Sequence, residues 1–138
     1  GGQASSPLTP EDHVEIQQLY FNYARAIDSG DAEGYAGMFT PDGMFGNSVE
    51  GREALIAFAK GYHEDNKGWN RHWNNGIRLT PTPEGAEGGC YLIVYNTSTR
   101  PPTIILTGIY RDTLVRTADG WRFKTRRVEV DRPADSGQ

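Results

Sequence analysis

The sequence predicts an α+β fold in which three N-terminal helices pack on one face of a curved, mainly antiparallel sheet. Two observations carry this. Apolar residues recur at three- and four-residue steps through the first half of the chain, and from Trp69 onward the period changes to two. Helices therefore come first and a meander of strands follows, an order that places the helices on one side of a single sheet. A chain of 138 residues suits one domain and is long enough to bury a real core.

Each element has a local reason. Residues 1–8, GGQASSPL, carry no periodicity and are expected to form a disordered tail. The folded domain is placed at 9–131, with 132–138 as a second tail. In Thr9-Pro10-Glu11-Asp12, the threonine caps a helix, the proline takes its first position and acidic residues fill its first turn. Ile16, Leu19, Tyr20, Tyr23, Ala24 and Ile27 then mark one apolar face. Ser29-Gly30 ends this helix, and Asp31 caps a short second one reaching about Phe39, with Tyr35, Met38 and Phe39 inward. Thr40-Pro41-Asp42-Gly43 reads as a turn, and Met44–Asn47 as a brief strand. A third helix runs from Arg52 to about Asp65, with Leu55, Phe58, Ala59 and Tyr62 inward. Four long strands are expected at about 71–80, 87–99, 103–117 and 121–131, separated by PTPEGAEG, RPP and ADG. Helices laid across a twisted sheet enclose a cone, and an apolar pocket inside it is the expected binding site.

Composition narrows the function. The net charge is −4, from 14 Lys and Arg against 18 Asp and Glu, with no basic stripe of the kind nucleic-acid binding requires. The local cluster Lys124, Arg126 and Arg127 falls in an alternating pattern and reads as a solvated face; Arg111 and Asp112 read as surface residues too. A single cysteine, Cys90, excludes an internal disulfide and reads as an inert buried thiol. The apolar runs are too short to cross a membrane, so a soluble, cytoplasmic protein is expected. No metal-ligand spacing, glycine-rich phosphate loop or GxSxG elbow is present.

Asp28 stands out among the polar residues. It lies just before the Ser-Gly break, where the helix dipole disfavours a negative charge. Either it is an exposed turn residue, or it turns inward, where desolvation tunes a carboxyl toward general acid or base work. Tyr23, five residues earlier, projects about 140° away on an ideal helix. His72 falls inside a strand pattern, and paired with a pocket aspartate it becomes a proton shuttle. In RHWNNGIRL, alternation puts Trp73, Asn75, Ile77 and Leu79 on one face, and His72, Asn74, Gly76 and Arg78 on the other. Trp69, Trp73, Tyr91, Tyr95 and Tyr110 are candidates for an aromatic wall, and Asn96 and Glu129 are polar groups that could reach inward.

The segments EIQQLYFNYARAIDSGDAEGYAGMFTPDGMF, GREALIAF, RHWNNGIRL and DGWRFKTRRV together resemble the SnoaL-like branch of the NTF2-like superfamily, over about residues 10–131. The resemblance implies a cone-shaped α+β barrel with a deep apolar cavity, and a homodimer formed through the outer sheet. Relatives in this superfamily include scytalone dehydratase, bile-acid dehydratase, ketosteroid isomerase and polyketide cyclases. In the dehydratases, a tyrosine and an aspartate at the end of the first helix work with a histidine on the strand after the third helix. Tyr23, Asp28 and His72 occupy matching places. The bile-acid dehydratase pattern adds a later strand carboxylate, where this chain has Tyr95 and Asn96 instead.

The implied function is that of a cofactor-independent dehydratase or isomerase working by acid/base catalysis on a small apolar cyclic or polycyclic substrate. Asp28 and His72 would move the proton, and Tyr23 would hydrogen-bond a developing oxyanion or orient Asp28. Tyr35, Phe58, Trp69, Trp73 and Tyr95 would shape the cavity, with Asn96 as a further polar contact. No cofactor or metal is expected. Two alternatives stay open: a polyketide-cyclase-like aldol catalyst, and a non-catalytic ligand-binding protein or oxygenase small subunit.

Overall fold

A computed structural model describes residues 5–133; residues 1–4 and 134–138, which belong to the two expected tails, lie outside the described residues. Helix α1 spans Pro10–Ser29, α2 Ala32–Gly37 and α3 Arg52–Asn66. Strands β1 (Phe39–Phe45), β2 (Val49–Glu50), β3 (Asn70–Thr82), β4 (Gly85–Asn96), β5 (Thr103–Thr117) and β6 (Gly120–Val130) form one sheet in the order β2-β1-β6-β5-β4-β3. The β1–β6 pair is parallel and the other pairs are antiparallel. The predicted fold class is therefore the observed one.

The caps form as their chemistry dictates. Thr9 and Asp12 make a reciprocal capping box, with Asp12 N–H donating to Thr9 Oγ1 at 3.1 Å and Thr9 N–H donating to Asp12 Oδ2 at 2.9 Å. Gly30 ends α1 with φ at 79°, a left-handed conformation that favours glycine. A side chain there would also strike the His63 ring, 2.9 Å from where its Cβ would stand, so the end of α3 packs directly on the end of α1. Ile16, Tyr20, Tyr23 and Ile27 of α1 are buried in one cluster with Leu92, Val94, Tyr110, Leu114, Trp121 and Phe123 of the sheet.

Two expectations need correction, and both involve bulges. Thr40-Pro41-Asp42-Gly43 is not a chain reversal but part of β1. Its pairing with β6 jumps from Phe39↔Phe123 to Met44↔Thr125, so the proline and glycine occupy an irregularity within the strand. In β3 the pairing is also irregular between Asn75 and Arg78, with Gly76 at φ 70°. The extra residue inverts the alternation. His72 and Trp73 lie on opposite faces as predicted, but Ile77 and Leu79 join the inward face that carries His72, and pack against the core.

Asp12 does more than fill the first turn. Its buried carboxylate also accepts from Arg116 Nη2 at 2.7 Å and Trp121 Nε1 at 3.2 Å. The Thr9 backbone bond chiefly, with the Trp121, Thr9 and Arg116 side chains, holds its pKa down to about 2 against the opposing effect of burial. A depressed folded-state pKa contributes stability that is present above the ordinary value of 3.8 and is lost as pH falls toward about 2. We predict that Asp12→Asn lowers stability at neutral pH by roughly 2 kcal/mol, and that urea unfolding shows this difference shrinking below the ordinary carboxylate range. A difference that stays constant into acid contradicts this assignment.

Candidate active site

The last turn of α1 and the first residues of β3 build the site together. Asp28 Oδ1 lies 2.6 Å from His72 Nδ1, and Asp28 Oδ2 accepts from the His72 backbone N–H at 2.9 Å. Both side chains are largely enclosed, at 14% and 8% exposure. One carboxylate thus holds the ring and the strand at once. The carboxylate accepts only when Nδ1 carries the proton, so the neutral ring keeps its lone pair on Nε2.

His72 is the polar end of a cavity of about 310 Å³ between α1, α3 and the sheet. Ile27, Phe45, Phe58, Leu92, Val94, Leu106, Val128 and Val130 supply an apolar wall, and Tyr23, Tyr62 and Tyr110 bring phenols to it. The Tyr23 hydroxyl donates to the Tyr35 hydroxyl at 3.2 Å, with the two rings 5.0 Å apart. It does not reach Asp28, in keeping with their angular separation on α1. Burial, first of all, holds the Tyr23 and Tyr110 phenols well above their ordinary range, so they stay protonated and able to donate.

Under the tyrosines lies a buried cation. Arg126 is fully buried and Asp112 nearly so. Arg126 Nε donates to Asp112 Oδ1 at 2.9 Å and Nη2 to Oδ2 at 3.3 Å, and the Tyr20 hydroxyl donates to the same carboxylate. The guanidinium carbon stands 3.5 Å from the Tyr110 ring centre, 4.3 Å from Tyr23, 4.5 Å from Phe123 and 4.7 Å from Tyr20. Burial pushes the Asp112 carboxyl up, and Arg126 opposes that push. The expectation that these two residues are solvated is wrong. Asp112 shares the inward face of β5 with Tyr110 and Leu114, while a register shift near Thr113 carries Arg126 inward where strict alternation from Phe123 would have brought Thr125.

The structure brings together only part of the predicted set. Asp28, His72, Tyr23 and Phe58 meet at the cavity or directly behind it, and Tyr35 is buried behind Tyr23. Trp69 and Trp73 are 46% and 64% exposed. Trp73 packs edge-on against Tyr95 at 5.3 Å on the outer face, and Tyr91 is exposed as well. The pleat explains this: His72 pairs with Val94 and faces inward, so Trp73 and its partner Ile93, together with Tyr91 and Tyr95, face out. Asn96 does not line the cavity but bonds to Asn70. Glu129 is exposed, paired with Arg111 at 2.7 Å. Cys90 is buried as expected, with burial chiefly raising its pKa to about 11. Tyr62, predicted only to face inward, has its ring centre 5.7 Å from that of His72. Among the described residues, no cluster of three metal-ligating side chains occurs, and no helix is long and apolar enough to cross a membrane.

Comparisons with known proteins agree with the fold. The model of the SnoaL-like domain family matches residues 9–127. An NTF2-like protein with a cystatin-like fold from Novosphingobium aromaticivorans is 27% identical, with a TM-score of 0.82 over 90% of this chain and 85% of that one. A protein from Catenulispora acidiphila, solved in complex with S-DNPA, is 30% identical, with a TM-score of 0.77 over 88% of this chain and 95% of that one. A putative scytalone dehydratase from Novosphingobium aromaticivorans is 22% identical, with a TM-score of 0.72 over 90% of this chain and 89% of that one, a likeness of fold alone. No curated protein matches the chain.

Removing Asp112 alone leaves Arg126 as an uncompensated buried charge. We predict that Asp112→Ala costs about 3–5 kcal/mol of stability. The double change Asp112→Leu with Arg126→Met should cost much less than the sum of its single changes in a denaturant-unfolding cycle. Strictly additive losses would show that the two groups do not depend on each other.

Proposed function

Because the chain belongs to the SnoaL-like domain family, we propose that it is a cofactor-independent dehydratase or isomerase that moves a proton on a small apolar cyclic molecule. The observation that carries this reading is the Asp28–His72 pair, closed on its Nδ1 side at 2.6 Å, with the ring bordering an apolar cavity.

The chemistry follows from the geometry. His72 Nε2 takes a proton from a carbon beside a carbonyl, and the imidazolium that forms is stabilised by the Asp28 carboxylate. In a dehydration, the same proton passes to a hydroxyl on the next carbon. That C–O bond breaks, water leaves and a C=C bond remains. In an isomerisation the proton returns to a different carbon. Tyr23 serves the developing oxyanion when its bond to Tyr35 reverses, so that Tyr35 donates to Tyr23 and Tyr23 donates to the substrate; hydroxyl protons rotate to suit. The apolar wall excludes water and strengthens each of these interactions.

Volume limits the substrate. About 310 Å³ lies at the low end of ligand cavities, which run from about 300 to 1,000 Å³. Molecules of one or two rings fit this space better than a four-ring skeleton. Small-molecule binding also accords with the Catenulispora acidiphila relative solved with S-DNPA.

The test is turnover of hydroxylated one- and two-ring ketones. Asp28→Asn and His72→Ala should each lower it by about 10²–10⁴-fold, with circular dichroism showing the fold intact at the assay temperature. Unchanged turnover in both variants removes the acid/base roles. Binding by the unaltered protein without turnover of any member makes the chain a ligand carrier instead.

A further inference from the structure

We infer that Tyr62 is a substrate-recognition residue: a chain of amides fixes its hydroxyl as a hydrogen-bond donor to an acceptor oxygen on the molecule in the cavity. The inference rests on the proposed function only for the idea that this molecule meets His72.

The direction of the hydrogen-bond chain is set at its far end. The Ser98 backbone N–H donates to Asn96 Oδ1 at 3.0 Å, and a backbone N–H can only donate. That fixes which end of the Asn96 amide is the oxygen. Asn96 Nδ2 must then donate, and it does so to Asn70 Oδ1 at 3.0 Å. The Asn70 amide is fixed in turn, so its Nδ2 donates to the Tyr62 hydroxyl oxygen at 2.9 Å. Asn66 holds the same corner from the helix side, donating to the Tyr62 carbonyl at 2.6 Å and accepting from the Asn70 backbone N–H at 3.2 Å.

Tyr62 Oη is therefore an acceptor toward Asn70, and its own proton must point elsewhere. Among the described residues that proton has no acceptor, yet the ring lines the cavity beside His72. Burial raises the Tyr62 pKa, the Asn70 bond lowers it and the Asp28 charge raises it again, so the phenol stays protonated. A phenol that receives a hydrogen bond also donates more strongly. A donor held in this way disfavours a ligand that leaves it unpaired, the kind of discrimination that polar sites achieve and apolar ones do not. The ligand class is an apolar ring compound with a carbonyl or similar acceptor oxygen near the carbon facing His72.

Indanone and indane are the probes, since they share a two-ring shape and differ in the carbonyl. Calorimetry on the full chain should show indanone binding about tenfold more tightly than indane, the equivalent of one hydrogen bond. Tyr62→Phe should bring that ratio near unity with indane affinity unchanged. Asn70→Asp should do the same while keeping the phenol, because a carboxylate accepts the Tyr62 proton. The infrared carbonyl stretch of bound indanone should lie at lower frequency in the unaltered protein than in Tyr62→Phe. A ratio that survives in Tyr62→Phe, or no binding of indanone by the unaltered protein, overturns the inference. Because turnover is not measured, this outcome is independent of whether Asp28→Asn loses activity.

Discussion

Asp28 gives one carboxylate oxygen to the His72 ring and the other to the His72 backbone, and the site depends on that double contact. A negative charge in the last turn of a helix costs about 0.3–1 kcal/mol. Hydrogen bonds to a charged group return about 1.5–3 kcal/mol each, so the pair outweighs the penalty. The contact pins the end of α1 to the start of β3 and sets the ring's orientation in one step. The left-handed Gly30 then caps α1 two residues beyond Asp28 and turns the chain away.

The second organising element is the charge beneath the cavity. Arg126 shares Asp112 with Tyr20 and lies among four aromatic rings, two of which, Tyr23 and Tyr110, also line the apolar space. Taking such a pair out of water is costly, and the close bidentate geometry with surrounding π faces offsets much of that cost. The arrangement places positive potential behind phenols that must stabilise negative charge in the proposed reaction. Around the cavity, polar function is confined to the His72–Asp28 end, the phenols and the Asn66–Asn70–Asn96 corner, and the remaining wall is apolar.

Much of this was legible in the chain. The change of apolar period, the Thr9 cap, the Ser-Gly break and the hairpin turns gave the element order and the fold class. Asp28 could be singled out because its position had no stabilising reason of its own, and that reason turned out to be His72, 44 residues away. What escaped were the bulges. Period-two reading treats a strand as uniform, and an irregularity at Gly76 or near Thr113 inverts every face beyond it. Arg126 was misread for that reason. Trp73 was a different error: it adjoins His72, so alternation already placed the two on opposite faces. Trp69, Tyr91, Tyr95 and Asn96 suit a cavity by residue type, but their places in the fold do not bring them to it. The Ser98-to-Tyr62 relay joins three elements and leaves no local pattern.

The proposed chemistry needs one proton position: Nδ1–H of His72 bound to Asp28, with Nε2 free. Nitrogen-15 NMR of the histidine ring, recorded on its neutral form, reads this directly. A protonated Nδ1 and an unprotonated Nε2 are expected for His72, with that preference lost in Asp28→Ala. A ring carrying its proton on Nε2 in the unaltered protein would contradict that chemistry.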